Sequence, residues 1–167
     1  MKDKIVLIDG CRTPFMKSET DFIDTMTYEL GQLAISGLIN KTGIDPNLVD
    51  SVIMGCVIST LKTSNLARES ALSAGIPNTT PCHTVSQACI SANRAIATAV
   101  AEIATGQSSI VIAGGADSAS ETPIGYKKKM RKKLMKGNKI RSNSDMLKYA
   151  LSFRIKDFLP EIPDISE

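Results

Sequence analysis

The chain has 167 residues, 43% of them apolar and 22% charged, with a formal net charge of +3. That length supports one domain with a real core, or one domain and part of another. No apolar run approaches the ~18 residues of a membrane-spanning helix; a single histidine and four cysteines without a C-x-x-C pair leave too few clustered ligands for zinc, so no metal is expected.

The start, "MKDKIVLIDG", is too short and too flanked by charge for a signal-peptide core, and "KIVLID", Lys4 to Asp9, reads as a first strand. With no sign of export, Cys11, Cys56, Cys82 and Cys89 are expected reduced, in a bacterial cytoplasm or, for a eukaryotic chain, in a mitochondrion after loss of a transit peptide. Asp24 or Thr25 can cap a helix from Met26 to Lys41, carried by Met26, Leu30, Leu33, Ala34 and Leu38, with Gly43 as its stop. "SVIMGCVI", Ser51 to Ile58, is a second strand in which Gly55 marks a bulge or a close backbone approach. Ser64 can cap a short helix, "NLARESALSA", ended by Gly75 and Pro77; "CHTVSQ" is a third strand. A helix beginning near Cys89 runs to Thr105, with Gly106 after it, and "SIVIAGGAD" is a fourth strand.

Strands alternating with helices, the strands nearly continuous in apolar residues, predict a mostly parallel α/β sheet built from βαβ crossovers. Past Pro123 the character changes. Lys127 to Lys156 carries twelve Lys or Arg against one acid, Asp145, while the remainder is acidic. Residues 1–123 therefore read as one half-domain and 124–167 as a basic helical appendage, with Met146, Leu147, Ala150, Leu151, Ile155 and Phe158 as its apolar stripe. That pairing of charge and stripe fits a solvated helix or a membrane-surface or acyl-CoA contact through 127–158; few interleaved aromatics argue against nucleic acid.

Cys89 stands where a β-branched run meets an alanine-rich helical pattern. A thiol in the first turn of a helix faces unpaired N–H groups and the positive dipole end, which favours the thiolate. Open α/β sheets place their chemistry at that carboxyl edge. The helix behind it, apolar nearly all round, is expected to be buried. Position alone leaves Cys89 equally a small buried apolar residue and a nucleophile. Cys11, Cys56 and Cys82 read as structural, and alternation aims His83 away from Cys82 and Thr84.

"VSQACISANRAIATAVAEI" closely resembles the acyl-enzyme signature of thiolases. "RTPF", "NLARESALSAGIP" and "IAGGADSASETP" agree with it in order and spacing, so the resemblance covers essentially the whole chain. Within that family, "CISANRA" and the tail from "KKKMRKKLM" to "FLPEIPDISE" look most like the β subunit of fatty-acid trifunctional enzymes. The resemblance implies the N-terminal half of a layered αβαβα fold, with 124–167 as the start of a loop domain. It implies 3-ketoacyl-CoA thiolysis in fatty-acid β-oxidation, with Cys89 forming an acyl-thioester, its backbone N–H serving an oxyanion hole, and coenzyme A as co-substrate without a bound cofactor. A homodimer and a hydratase/dehydrogenase α subunit are the partners it suggests.

Thiolases also use a Gly-His-Pro histidine, a Cys-x-Gly cysteine and an Asn-Glu motif, none of which occurs in this sequence. The expectation is an N-terminal portion that carries the nucleophile and is inactive alone. The alternative is an inert binding or assembly module. "RTPF" and "CISAN" disfavour a ketosynthase.

Overall fold

The computed structural model describes residues 4–60, 62–121 and 123–161. They fall into two compact units, Met1–Pro123 and Ile124–Glu167.

In the first unit, α1 (Thr27–Thr42), β1 (Ser51–Gly55), α2 (Leu66–Ser73), β2 (Cys82–Val85), α3 (Ser91–Ala104) and β3 (Val111–Gly115) follow in chain order. The strands form a parallel sheet in the order β2-β1-β3. Alternation along β1 sorts its side chains between two layers. Val52 and Met54 join Ile35 of α1 and Leu66, Ala67 and Ala71 of α2 in one cluster. Ile53 points the other way, to Ala95 and Ala99 of α3. Every β1 residue is buried, as expected for the central strand of a sheet covered on both faces. Each fully buried Val or Ile side chain there contributes roughly 1.5–3 kcal/mol.

The helix ends show why these segments start and stop where they do. Gly43, at φ 66°, donates its N–H to the carbonyl of Ile39 at 2.8 Å and ends α1 in the left-handed conformation that glycine adopts freely. At the other end, Met26 takes the cap position in place of Asp24 or Thr25. The Glu29 carboxylate reaches back to the Met26 N–H at 2.8 Å, and Glu121 accepts from both the N–H and the hydroxyl of Thr27, at 2.7 and 2.8 Å. A carboxylate 94 positions away thus does the work expected of a neighbour. Asn65, not Ser64, caps α2 through Arg68 N–H, while its side chain also holds the Thr84 hydroxyl and the Cys82 carbonyl of β2.

Two larger expectations for this unit also fail. Lys4 to Asp9 forms no strand, and Val6, Leu7 and Ile8 stand 71%, 81% and 77% exposed. The composition suits a strand, but β3, an edge of the sheet, pairs only with β1 and the run finds no ladder. Nor is the helix after Cys89 buried all round. Ser91, Ala95 and Ala99 are its buried residues, and Ile96 and Val100 on its outer side are 43% and 44% exposed. One sheet covers one face, and no second layer among the described residues covers the other.

The second unit contains β4 (Gly125–Tyr126), α4 (Lys128–Gly137), α5 (Asn143–Leu151) and β5 (Pro160–Glu161), with β4 and β5 antiparallel. The expected stripe from Met146 to Phe158 does not lie on one helix: α5 stops at Leu151, and Ile155–Phe158 forms a separate 3-10 turn. The reason is Lys133. Its ammonium donates to the Ser152 carbonyl at 2.6 Å, at the end of α5, and to Asp157 Oδ2 at 2.6 Å. Phe153 and Phe158 pack beside it with ring centroids 5.7 Å apart. Asp157 is 8% exposed and also accepts from the Arg154 N–H at 3.1 Å.

The Lys133 hydrogen bond, followed by that N–H, holds the Asp157 carboxyl below its ordinary range. A carboxylate lowered on folding stabilises at pH above the unfolded value, and that contribution is lost as pH falls through the folded one. Replacing Asp157 by asparagine should therefore flatten the acid limb of the unit's stability, read as amide exchange of α4 and α5 against pH. An unchanged limb would remove Asp157 from the account.

Candidate active site

β1 and β2 end together, in register from Val52 against Cys82 to Gly55 against Val85. The chain then passes through residues 86–90 and enters α3 at Ser91. Cys89 lies on this turn, one residue before Ile90, the N-cap, and not in the first helical turn as expected. Its thiol is free and exposed at the carboxyl edge of the sheet.

The turn is held from several sides. Ala88 adopts φ 46°, one of two non-glycine residues with positive φ among the described residues. Ser91, 3% exposed, accepts the Gln87 N–H on its hydroxyl at 2.8 Å and donates that hydroxyl to the Ala88 carbonyl at 2.7 Å. The Ser91 and Ile90 amides close the same turn onto Ala88 and Gln87 carbonyls at 3.1 and 3.2 Å. Beneath it lies Gly55, where an added Cβ would overlap the backbone of Ser91 and Ala92. The close approach expected at Gly55 is therefore the seat of α3, and no side chain larger than hydrogen fits it.

The other three cysteines differ in setting. Cys56 is 5% exposed, and burial, reinforced by the Asp117 carboxylate 3.5 Å from its sulfur, pushes its thiol up to about 12. Burial also raises Cys82, a half-buried residue of β2 itself. Both thiols stay protonated and unreactive at neutral pH, in keeping with structural roles. Cys11 is exposed and lies in no strand; its sulfur faces Gly37 of α1, and an added Cβ there would have to push that sulfur aside.

Sequence reasoning missed Asp117. Its carboxylate accepts from the Val57 and Ile58 N–H groups at 2.9 and 2.8 Å and ties the loop after β1 to the segment after β3. The aspartate closing "IAGGAD" was the available signal. His83 pairs in register with Ile53, which places it on the α3 side of the sheet, opposite to Thr84, whose hydroxyl accepts from Ala67 N–H of α2. No hydrogen bond joins His83 or any carboxylate to Cys89 among the described residues. A cleft of about 250 Å³ between Cys11–Ser18 and Gly115–Ser120 does not include Cys89.

The arrangement presents an accessible thiol before a helix N-terminus, on a turn fixed to the sheet, with no histidine or carboxylate hydrogen-bonded to it among the described residues. A thiol so placed suits nucleophilic chemistry, and protonation of a leaving carbon calls for a separate acid.

Comparison with known proteins gives these likenesses. Residues 5–157 match the model "Thiolase, N-terminal domain". The trifunctional enzyme subunit beta, mitochondrial, of Bos taurus is 45% identical over 98% of this chain and 34% of its own length. A 3-ketoacyl-CoA thiolase of Yersinia pestis (strain Pestoides F) is 38% identical over 99% of this chain and 38% of its own. The crystal structure of Bacillus anthracis acetyl-CoA acetyltransferase superposes with a TM-score of 0.69 at 31% identity, over 72% of this chain and 30% of that one. The chain thus spans about a third of the length of the curated relatives it matches.

Proposed function

The chain belongs to the thiolase family, and on that premise we propose that Cys89 is the acyl-accepting nucleophile of a 3-ketoacyl-CoA acyltransferase. The supporting observation is the exposed Cys89 thiol at the sheet's carboxyl edge, on a turn fixed before α3.

In thiolysis the Cys89 sulfur attacks the 3-keto carbon of 3-ketoacyl-CoA. The C2–C3 bond breaks, its electron pair stays on C2 of the departing acetyl-CoA, and that carbon takes up a proton. The acyl group remains as a thioester on Cys89 until the thiol of a second coenzyme A accepts it and regenerates the cysteine. Coenzyme A is the co-substrate, and the Cys89 backbone N–H is one donor to the developing oxyanion.

The two halves of this cycle make different demands. Exchange of an acyl group between coenzyme A and Cys89 swaps one thiolate for another and needs no carbon acid. Cleavage of C2–C3 needs a proton donor, and this sequence has no Gly-His-Pro or Cys-x-Gly motif to supply it. The reading therefore assigns this chain acyl exchange and negligible thiolysis. An assay of the purified chain with a 3-ketoacyl-CoA and coenzyme A checks it: turnover like that of an ordinary thiolase would contradict it.

The exposed outer face of α3 supports a second reading, an assembly module without catalysis. Both readings admit a homodimer and a hydratase/dehydrogenase α subunit, since the matched relatives include a trifunctional enzyme subunit beta. A bacterial cytoplasm and a mitochondrion both fit the organisms of those relatives.

For the basic unit we propose a peripheral membrane contact through 127–158. Lys128, Lys129, Arg131, Lys132, Met135 and Lys136 are exposed on α4, and Leu147 and Leu151 are exposed on α5. No helix among the described residues is long and apolar enough to cross a membrane. The expected result is co-sedimentation with phosphatidylserine vesicles at low salt that falls several-fold at high salt. Equal binding to neutral vesicles would overturn it.

A further inference from the structure

We infer that Ser91 is a positioning residue for Cys89, its hydroxyl locking Ala88 in the left-handed conformation that presents the thiol. The inference rests on Cys89 being the acyl-accepting nucleophile.

Cys89 has one neighbour in a costly conformation. An L-residue at φ 46° brings its Cβ against the following carbonyl, and alanine has no polar side chain to compensate locally. The conformation persists only where surrounding bonds over-determine it. Here the Ser91 hydroxyl supplies two, to the Gln87 N–H before Ala88 and to the Ala88 carbonyl after it. The hydroxyl therefore spans the strained residue, using its donor and its acceptor at once. Ser91 itself is fixed: it is buried, and its backbone is seated on Gly55 at the end of β1. A chain of contacts thus runs from the central strand through Ser91 and Ala88 to the peptide bearing the thiol. Removing the hydroxyl takes its bonds from the Gln87 N–H and the Ala88 carbonyl, leaves the carbonyl with the Ser91 N–H alone, and frees Ala88 to return to an ordinary conformation, turning the next residue with it.

The chain carries its own controls. Cys11 is exposed but lies outside this turn, so it reports ordinary thiol chemistry, and Cys56 is buried, so it reports unfolding. The experiment follows acetylation of each cysteine by acetyl-CoA, resolved by peptide mass, in the full chain. Ser91→Ala is expected to slow acetylation of Cys89 about tenfold, the effect of one or two lost hydrogen bonds, with Cys11 unchanged and Cys56 still protected. Adding Ala88→Gly to that variant should recover part of the rate, because glycine holds a positive φ without the steric cost. A loss of packing alone would gain nothing from that glycine. If Ser91→Ala exposes Cys56, Ala88→Val carries the test: position 88 is on the surface, and a β-branched residue makes the left-handed state costlier. It should slow Cys89 several-fold with Cys56 protected.

A Ser91→Ala chain that stays folded and acetylates Cys89 at the parent rate would overturn the inference, as would a folded Ala88→Val chain with an unchanged rate where the alanine variant unfolds. If the parent chain itself never acetylates Cys89, the nucleophile reading fails and this inference falls with it. Failure in the variants alone leaves that reading standing.

Discussion

Replacing Cys89 by alanine should reduce exchange of labelled coenzyme A into acetyl-CoA to the rate of buffer. Exchange requires a sulfur that takes the acetyl group from one coenzyme A and passes it to another, and only a thiol placed for both steps sustains the cycle. Cys56 cannot substitute, since burial and the Asp117 carboxylate hold its thiol up to about 12 and leave it protonated. Cys82 is raised in the same direction by burial. Cys11 is exposed but faces Gly37 of α1 and is no part of the turn that fixes Cys89. The Cys11→Ala chain should therefore exchange at the parent rate. Exchange that survives Cys89→Ala and disappears in Cys11→Ala would move the nucleophile to the other exposed thiol.

The largest loss of stability is expected at Gly55. An alanine Cβ there would overlap the carbonyl carbon and oxygen of Ser91 and the nitrogen of Ala92. These are backbone atoms at the start of a helix, and they cannot swing aside as a side-chain tip can. Gly55 also sits at the end of a fully buried strand and accepts the Ala116 N–H at 3.1 Å, so β1 cannot retreat. Overpacking of this kind costs about 1–3 kcal/mol and more where nothing yields. We expect about 3 kcal/mol for Gly55→Ala by urea denaturation, together with a slower Cys89, because the displaced residue is Ser91. Gly10→Ala is the control, since an added Cβ meets nothing there, and it should stay within about 0.5 kcal/mol of the parent. Parent-like stability in Gly55→Ala would mean that α3 is not seated on β1 as described.

How much was legible in the sequence follows from which forces are local. β1, β2 and β3 could be read because β-branched runs bounded by glycine and proline carry their own signal. Gly43 could be read as a stop because its left-handed conformation is a property of one residue. Cys89 was legible as a junction, since a change of period from strand to helix marks the corner. The cap of α1 was not, because Glu121 supplies it from across the fold. Lys4 to Asp9 misled for the converse reason: a strand's composition does not provide the neighbour that a strand needs. The same holds for α3, whose alanine-rich outer face states that it should be covered and not by what. At the site, nothing in "SQACIS" says that Ala88 adopts a positive φ or that Ser91 spans it; both depend on the seat that Gly55 offers.

The central claim is that Cys89 is a nucleophile standing without its base. Peptide-resolved mass spectrometry of the parent chain after exposure to acetyl-CoA tests it most directly. The account predicts one acetyl group, on the peptide that contains Cys89, labile to hydroxylamine as a thioester is. No acetyl group, or one confined to Cys11, would contradict it.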